Sequence, residues 1–374
     1  MARFKVPRYD YAAQFSGIET TVLEKIGTAL KDGRYILTEE VALCERMMAE
    51  HFGHRYVVGV NSGTDALVLA LMALGVKAGD EVIVPANTFH ATALAVALVG
   101  ATPRLIDVDE GSFLTNPETI VEAVTCATKA IIFVHLYGKC VSLSGIAPLL
   151  KARGIALIED AAQAHGSVAA DGFRPGHFTD AVCYSFHPSK NLAAAGDAGA
   201  VATDRSDLDD SLRMLRTFGQ RGQNVHLRIG INSKLDALQA IILGAKLPSL
   251  AKWNSRRQEL ARSYRGRLGG LPVQFQRSDE GESHTYHLFQ VRTPNRDSLA
   301  RYLGEAGIDA VVRYPSPLHL QPAFGYLGYS RGDFPVSETL ADELLALPLF
   351  PSMTDEDIEY VSSKIQQYFE TGVH

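Results

Sequence analysis

The chain has 374 residues, enough for two or three domains that each bury a core, with hydrophobic residues at 46% and charged residues at 21%. That mix leaves little room for long disorder, and 36 Lys plus Arg against 42 Asp plus Glu repels nucleic-acid phosphate rather than collecting it. No apolar run reaches the roughly 18 residues of a membrane span and the opening MARFKVPRYDYAAQF lacks a signal-peptide hydrophobic region, so a cytoplasmic protein without membrane or nucleic-acid partners is expected.

From Tyr56 to Thr203 short apolar or β-branched runs alternate with helix-like stretches. Strands are predicted at 56–60, 81–84, 104–108, 130–135, 155–159, 181–186 and 199–203, the rhythm of an α/β domain around a mostly parallel seven-stranded sheet. A helical connector follows over 235–267, interrupted near Pro248. Beyond it, HTYHLFQVRT reads as a strand, DSLARYLGEAGI as a helix, and TDEDIEYVSSKIQQYF as a last helix whose Thr354 and Asp357 suit a capping box. The division expected is a large α/β domain over 1–248, including the N-terminal segment, and a smaller α+β domain over 249–374. Cys44, Cys126, Cys140 and Cys183 form no CxxC pair and read as reduced, mostly buried thiols; no metal site is expected.

Four segments carry chemistry. In VVGVNSGTDALVLALMALGV a strand runs through Ser62, Gly63 and Thr64 into an apolar helix, a junction that offers free amides and a positive dipole end to an anion. No Walker loop and no strand-to-helix GxGxxG occurs, which removes support for nucleotide hydrolysis and dinucleotide binding. In PANTFH, Phe89 follows a strand and offers a stacking face. In GIALIEDAAQAHGS a strand ends in Asp160, with Gln163 three residues on; a carboxylate there suits a protonated pyridine nitrogen. In DAVCYSFHPSKNLAAAGDAG a strand ends at Ser185 and an irregular passage presents Lys190, an amine placed to be desolvated and to attack an aldehyde. Each residue alone also has a plain structural reading: Ser62, Thr64 and Asp65 as caps, Asp160 as an N-cap, Phe89 as core, Lys190 as a solvated charge.

Taken together, NSGTDAL, PANTF, EDAAQAHG, SFHPSKNL, GINSKLDALQA, YPSPLHLQPAF and LPLFPSMTDEDI occur in one order over nearly the whole chain, and the sequence resembles the DegT/DnrJ/EryC1/StrS family of sugar aminotransferases. The resemblance implies fold type I, like aspartate aminotransferase, and pyridoxal 5'-phosphate as cofactor. It implies that Lys190 forms the Schiff base and shuttles the proton, Asp160 pairs with the pyridine nitrogen, Gln163 meets the phenolic oxygen and Phe89 stacks on the ring. Gly63, Thr64 and Ser185 would hold the phosphate, completed by Asn232 from the neighbouring subunit of a homodimer. Lys234 stands where the family commonly has Arg, replacing a planar fork with a point charge. Lys190 also argues against the family's dehydratases, which carry His there. In RYPSPLHLQ, Arg313, Tyr314 and His319 resemble the small-domain part of the sugar site, with a structural hydrogen bond as the other reading of His319. The implied reaction moves an amino group from an amino acid, L-glutamate above others, to C3 of a dTDP-linked 3-keto-6-deoxyhexose in amino-sugar synthesis. The alternatives are a C4 keto-sugar or a keto-inositol as acceptor, or a PLP-binding regulator of the same fold without turnover.

Overall fold

A computed structural model describes residues 4–140 and 142–371. Its centre is a seven-stranded sheet of β1 (Tyr56–Val60), β2 (Glu81–Pro85), β3 (Thr102–Ile106), β4 (Thr128–Val134), β5 (Ala156–Asp160), β6 (Ala181–Ser185) and β7 (Gly199–Thr203), in the order β1-β7-β6-β5-β4-β2-β3. Every pairing is parallel except those of β7, which runs antiparallel to both β1 and β6. All seven predicted strands are present, with boundaries displaced by up to two residues. Because β7 alone is reversed, the carboxyl ends of the other six open on one edge, where ligands bind in open α/β sheets.

The helices of this part are α1 (Glu19–Asp32), α2 (Glu39–Phe52), α3 (Gly63–Ala73), α4 (Ala91–Leu98), α5 (Pro117–Ala123), α6 (Ala147–Ala152), α7 (Ser206–Leu215) and α8 (Ala237–Lys246). In α3 six consecutive residues, Ala66 to Leu71, are buried. Such a helix is apolar all round because protein covers it all round, and this fixes its N-terminus against the sheet edge. The connector breaks where Pro248 cannot continue the ladder: a short 3-10 turn, Leu247–Ser249, separates α8 from α9 (Leu250–Leu268).

A second sheet, ordered β10-β9-β8, comprises β8 (Gln274–Phe275), β9 (Phe289–Arg292) and β10 (Leu344–Leu347). Its core joins α9, α10 (Arg296–Glu305) and α12 (Asp355–Thr371), with α11 (Pro335–Glu343) leading into β10. Val6 belongs to this core and bridges to Ile308, so the N-terminal segment is tied to the second sheet's side of the molecule. The capping box forms: the Thr354 amide donates to Asp357 at 3.0 Å and the Asp357 amide to Thr354 at 3.1 Å.

The strand expected over 284–293 is shorter than its pattern suggests. Only Phe289 onward pairs, because the preceding backbone is bonded elsewhere: the Thr285 amide donates to the Gly138 carbonyl, and Tyr286 adopts φ of 44°. Among the cysteines, Cys44, Cys140 and Cys183 are buried and Cys126 is exposed. Among the described residues no helix is long and apolar enough to cross a membrane.

Candidate active site

Where β1 meets α3, the Ser62 hydroxyl caps the helix by accepting from the Asp65 amide at 3.1 Å. The Asp65 carboxylate is turned away from the opening, accepting from the Ser233 hydroxyl at 2.7 Å. First-turn amides of Gly63 and Thr64 have no acceptor within the helix and lie at its positive end. Glycine is required at 63 by close approach, since a Cβ there would sit 2.6 Å from that of Ser185. At Gly199, likewise, a Cβ would come within 2.4 Å of the Ser62 carbonyl carbon. These two contacts bring the β6 end, the β7 start and the α3 N-terminus into one cradle.

Strand alternation sends neighbouring carboxylates of β5 to opposite faces. Glu159 is buried against His135 Nε2 at 2.6 Å, the Thr179 hydroxyl at 2.6 Å and the Gly176 amide at 2.8 Å. Asp160 faces the cradle, accepting from Thr92 Oγ1 at 3.0 Å and the Ala162 amide at 3.1 Å. Burial pushes its carboxyl pKa up, against the opposing pull of those hydrogen bonds and of the Lys190 charge. Gln163 is held at both ends: its Oε1 accepts from the Tyr137 amide and its Nε2 donates to the Tyr314 hydroxyl, each at 2.8 Å. That second bond draws Tyr314 onto the sheet edge. Phe89 remains 48% exposed, its ring centroid 6.4 Å from that of Tyr314.

Lys190 sits on a loop fixed from both sides. Its amide donates to the His187 carbonyl at 2.8 Å, and the adjacent Asn191 donates to the Thr285 carbonyl at 2.8 Å and to Asn254 of α9 at 3.0 Å. Desolvation lowers the Lys190 amine to about 8; Asp160 pulls the other way and Arg313 adds to the lowering. Behind it His165 is pushed down to about 3 by burial and by Lys190, so it is neutral and donates from Nε2 to the Ser185 carbonyl at 2.9 Å.

A cavity of about 500 Å³ brings together Gly63, Thr64, Phe89, Asp160, Gln163, Ser185, Lys190 and Tyr314. Two further predicted residues do not line it. Asn232 is exposed, its side-chain oxygen accepting from Lys234. His319 is buried, with Nε2 2.9 Å from Glu338 Oε1. The same cavity is also lined by His187, Asp197 and Arg313. Sequence had marked the segments that contain them, but His187 and Asp197 carried no signal of their own. Thr92, which holds Asp160, was missed entirely, because a contact across 68 positions leaves no local pattern.

The donor set fits pyridoxal phosphate. A buried carboxylate whose pKa is raised is short of a cation, and a pyridinium proton is one. The desolvated amine suits an aldehyde, and the amides beside Ser185 suit a phosphate.

Comparison with known proteins agrees. Residues 17–366 match the model of the DegT/DnrJ/EryC1/StrS aminotransferase family. A UDP-N-acetyl-3-dehydro-alpha-D-glucosamine 3-aminotransferase of Acidithiobacillus ferrooxidans is 41% identical, covering 97% of each chain. The dTDP-3-amino-3,4,6-trideoxy-alpha-D-glucose transaminase of Streptomyces venezuelae is 38% identical over 98% of this chain and 97% of its own. The crystal structure of S. venezuelae DesV in complex with a ketimine intermediate superposes with a TM-score of 0.95 at 38% identity, covering 99% of both chains. The chain belongs to the DegT/DnrJ/EryC1/StrS aminotransferase family.

Proposed function

We propose that this aminotransferase uses pyridoxal 5'-phosphate to move an amino group from L-glutamate to C3 of a nucleotide-linked 3-keto-hexose, with a dTDP-linked 3-keto-6-deoxyhexose as acceptor. The observation that carries the reading is one cavity that holds a lowered amine, Lys190, a buried carboxylate, Asp160, and the open N-terminus of α3. Bound there, the cofactor supplies an aldehyde carbon and an electron-withdrawing ring. Lys190 Nζ takes and returns the proton that moves during amino transfer, for which a pKa of about 8 leaves both forms populated near neutrality. Asp160 keeps the ring nitrogen protonated. Gly63, Thr64 and Ser185 hold the phosphate, Phe89 covers the ring face, and Gln163 orients the ring edge while fixing Tyr314. Asn232 of a second copy completes the phosphate site. Leu23, Leu30, Tyr35, Ile36, Leu37 and Leu43, all exposed around α1 and α2, support such a homodimer.

C3 is favoured because both curated relatives named above carry C3 chemistry in their names. The test incubates the protein with pyridoxal phosphate, glutamate and, in parallel, dTDP-linked 3-keto, dTDP-linked 4-keto and UDP-linked 3-keto sugars, and locates the new amine by NMR. Amination at C3 of the dTDP sugar is expected. A product aminated only at C4 would overturn the regiochemistry, and turnover of the UDP sugar alone would overturn the nucleotide.

A further inference from the structure

Outside the Lys190 cavity the fold buries a second lysine that the chemistry above does not use. Lys246, the last residue of α8, is 1% exposed, and burial lowers its amine from the ordinary 10.5 to about 8. A buried ammonium normally finds a carboxylate, yet among the described residues Lys246 pairs with none. Its Nζ instead donates to the Ala193 carbonyl and to the Gln14 side-chain oxygen, each at 3.0 Å, and lies 4.0 Å from the centre of the Phe15 ring. Two oxygens and a ring face match the three N–H groups of one ammonium. An apolar side chain of similar length would fill the same space without dehydrating a charge, so packing alone does not account for a lysine here.

The partners of Lys246 converge on one loop. Ala193 follows Lys190 by three residues, and Gln14 turns its Nε2 to the carbonyl of Pro188, two residues before Lys190, at 3.1 Å. Lys246 therefore grips the loop on both sides of Lys190, directly at Ala193 and through Gln14 at Pro188. Within that grip the Lys190 amide donates to the His187 carbonyl and the Ala194 amide to the Phe186 carbonyl, each at 2.8 Å. Neither Lys246 nor Gln14 lines the Lys190 cavity, so both act at a distance from whatever binds there.

We infer that Lys246 is a positioning residue for amino transfer: together with Gln14 it fixes the loop so that the Lys190 amine stands at the carbon it must reach. The inference rests on the reading of Lys190 as the reacting amine and adds what holds that amine in place. It also gives the N-terminal segment a part in the reaction. Gln14 and Phe15 lie in the 3-10 turn Ala13–Phe15, and the bond from Lys246 to Gln14 spans 232 positions of the chain.

The test uses the full chain loaded with pyridoxal phosphate, as wild type, Lys246→Met, Gln14→Met and the double variant. Hydrogen exchange read by mass spectrometry should quicken about tenfold over residues 187–194 in each variant, with the strands of the central sheet unchanged. The glutamate half-reaction, followed by the cofactor's visible absorbance, should slow about tenfold in Lys246→Met and about threefold in Gln14→Met, at an unchanged KM for glutamate. The double variant should be no slower than Lys246→Met, because Gln14 acts through its contact with Nζ. Unchanged exchange and rate in both single variants overturn the inference. So does faster exchange spread over the whole chain with the rate intact, which would make Lys246 an ordinary anchor of the fold. Losses that multiply in the double variant would overturn the joint grip. Gln14 is only half-buried, so its variant reads the same loop should Lys246→Met fail to fold. The two readings fail separately. If Lys190→Ala abolishes the half-reaction while Lys246→Met leaves rate and loop exchange at wild type, only the positioning role falls. If Lys190→Ala keeps the half-reaction, the Lys190 reading falls, and exchange over residues 187–194 still decides whether Lys246 and Gln14 hold the loop.

Discussion

The two rims of the Lys190 cavity are built on different terms. On the sheet rim the side chains after β5 are fixed by protein partners, Asp160 by Thr92 and the Ala162 amide and Gln163 by Tyr137 and Tyr314, while the Gly63 and Thr64 amides stay open. On the opposite side, Arg313 of this cavity and Tyr9 of an adjoining one carry buried donors without a partner among the described residues. A satisfied rim holds geometry fixed through every turnover, which the chemistry of one cofactor needs. An unsatisfied rim keeps its donors for a ligand that comes and goes. The contrast predicts that damage to the sheet rim strikes the chemical step whatever the substrate, whereas damage to the other rim strikes binding.

The largest expected effect is that of Lys190→Ala. With no amine to carry the proton, the glutamate half-reaction, followed by the fading of the protein-bound cofactor's visible absorbance, should slow by roughly 10⁴-fold. Turnover within tenfold of wild type would remove Lys190 from the chemistry and end the proposed mechanism.

A subtler prediction sets one rim against the other through the Lys190 amine. Its pKa of about 8 lies below the ordinary 10.5, so the apo protein should capture pyridoxal phosphate faster as the pH rises, with a midpoint near 8. Asp160 favours the charged amine and Arg313 opposes it. Asp160→Asn should therefore move the midpoint down and Arg313→Gln should move it up. Stopped-flow absorbance across pH 6 to about 10 would read both shifts, and shifts of the same sign would break the electrostatic picture. The linked stability follows the same sign. The protonated amine is disfavoured in the folded state, so this site opposes folding fully below about 8, and the penalty fades as the pH rises from there toward 10.5.

The same division decided what could be read from the sequence. Residues of the sheet rim stand at strand ends, and a strand end followed by Gly63, Asp160 or Lys190 is a local pattern, so all seven strands and the cavity's central residues, Gly63, Asp160 and Lys190 among them, were legible. Partners that lie far apart in the chain were not. Nothing local ties Thr92 to Asp160 or Tyr137 to Gln163. The segment from His284 to Leu288 has the composition of a strand, but Gly138, Gln163 and Asn191 take its hydrogen bonds, and it forms none of the sheet. The opposite rim was the least legible. Arg8, Tyr9 and Tyr11 read as an ordinary N-terminal segment until the fold sets them beside Arg313.

His319 gives the smallest and most specific test, since it lies in the segment that resembles a sugar site but does not line the cavity. Its Nε2 is bonded to Glu338, which also accepts from the Gly332 amide at 2.7 Å, and its ring packs edge-on against Phe334 at 4.8 Å. Those contacts join the 3-10 turn at Leu318–Leu320 to α11. Replacing the ring by His319→Gln should then lower the unfolding free energy by about 1–3 kcal/mol, the cost of disturbing a buried hydrogen bond to a charged group. The KM for the keto-sugar should stay near wild type, because the ring supports the rim from behind. The other nitrogen, Nδ1, is buried without a partner among the described residues. A higher KM for the sugar with unchanged melting would therefore put that nitrogen on the substrate and make His319 part of the binding rim.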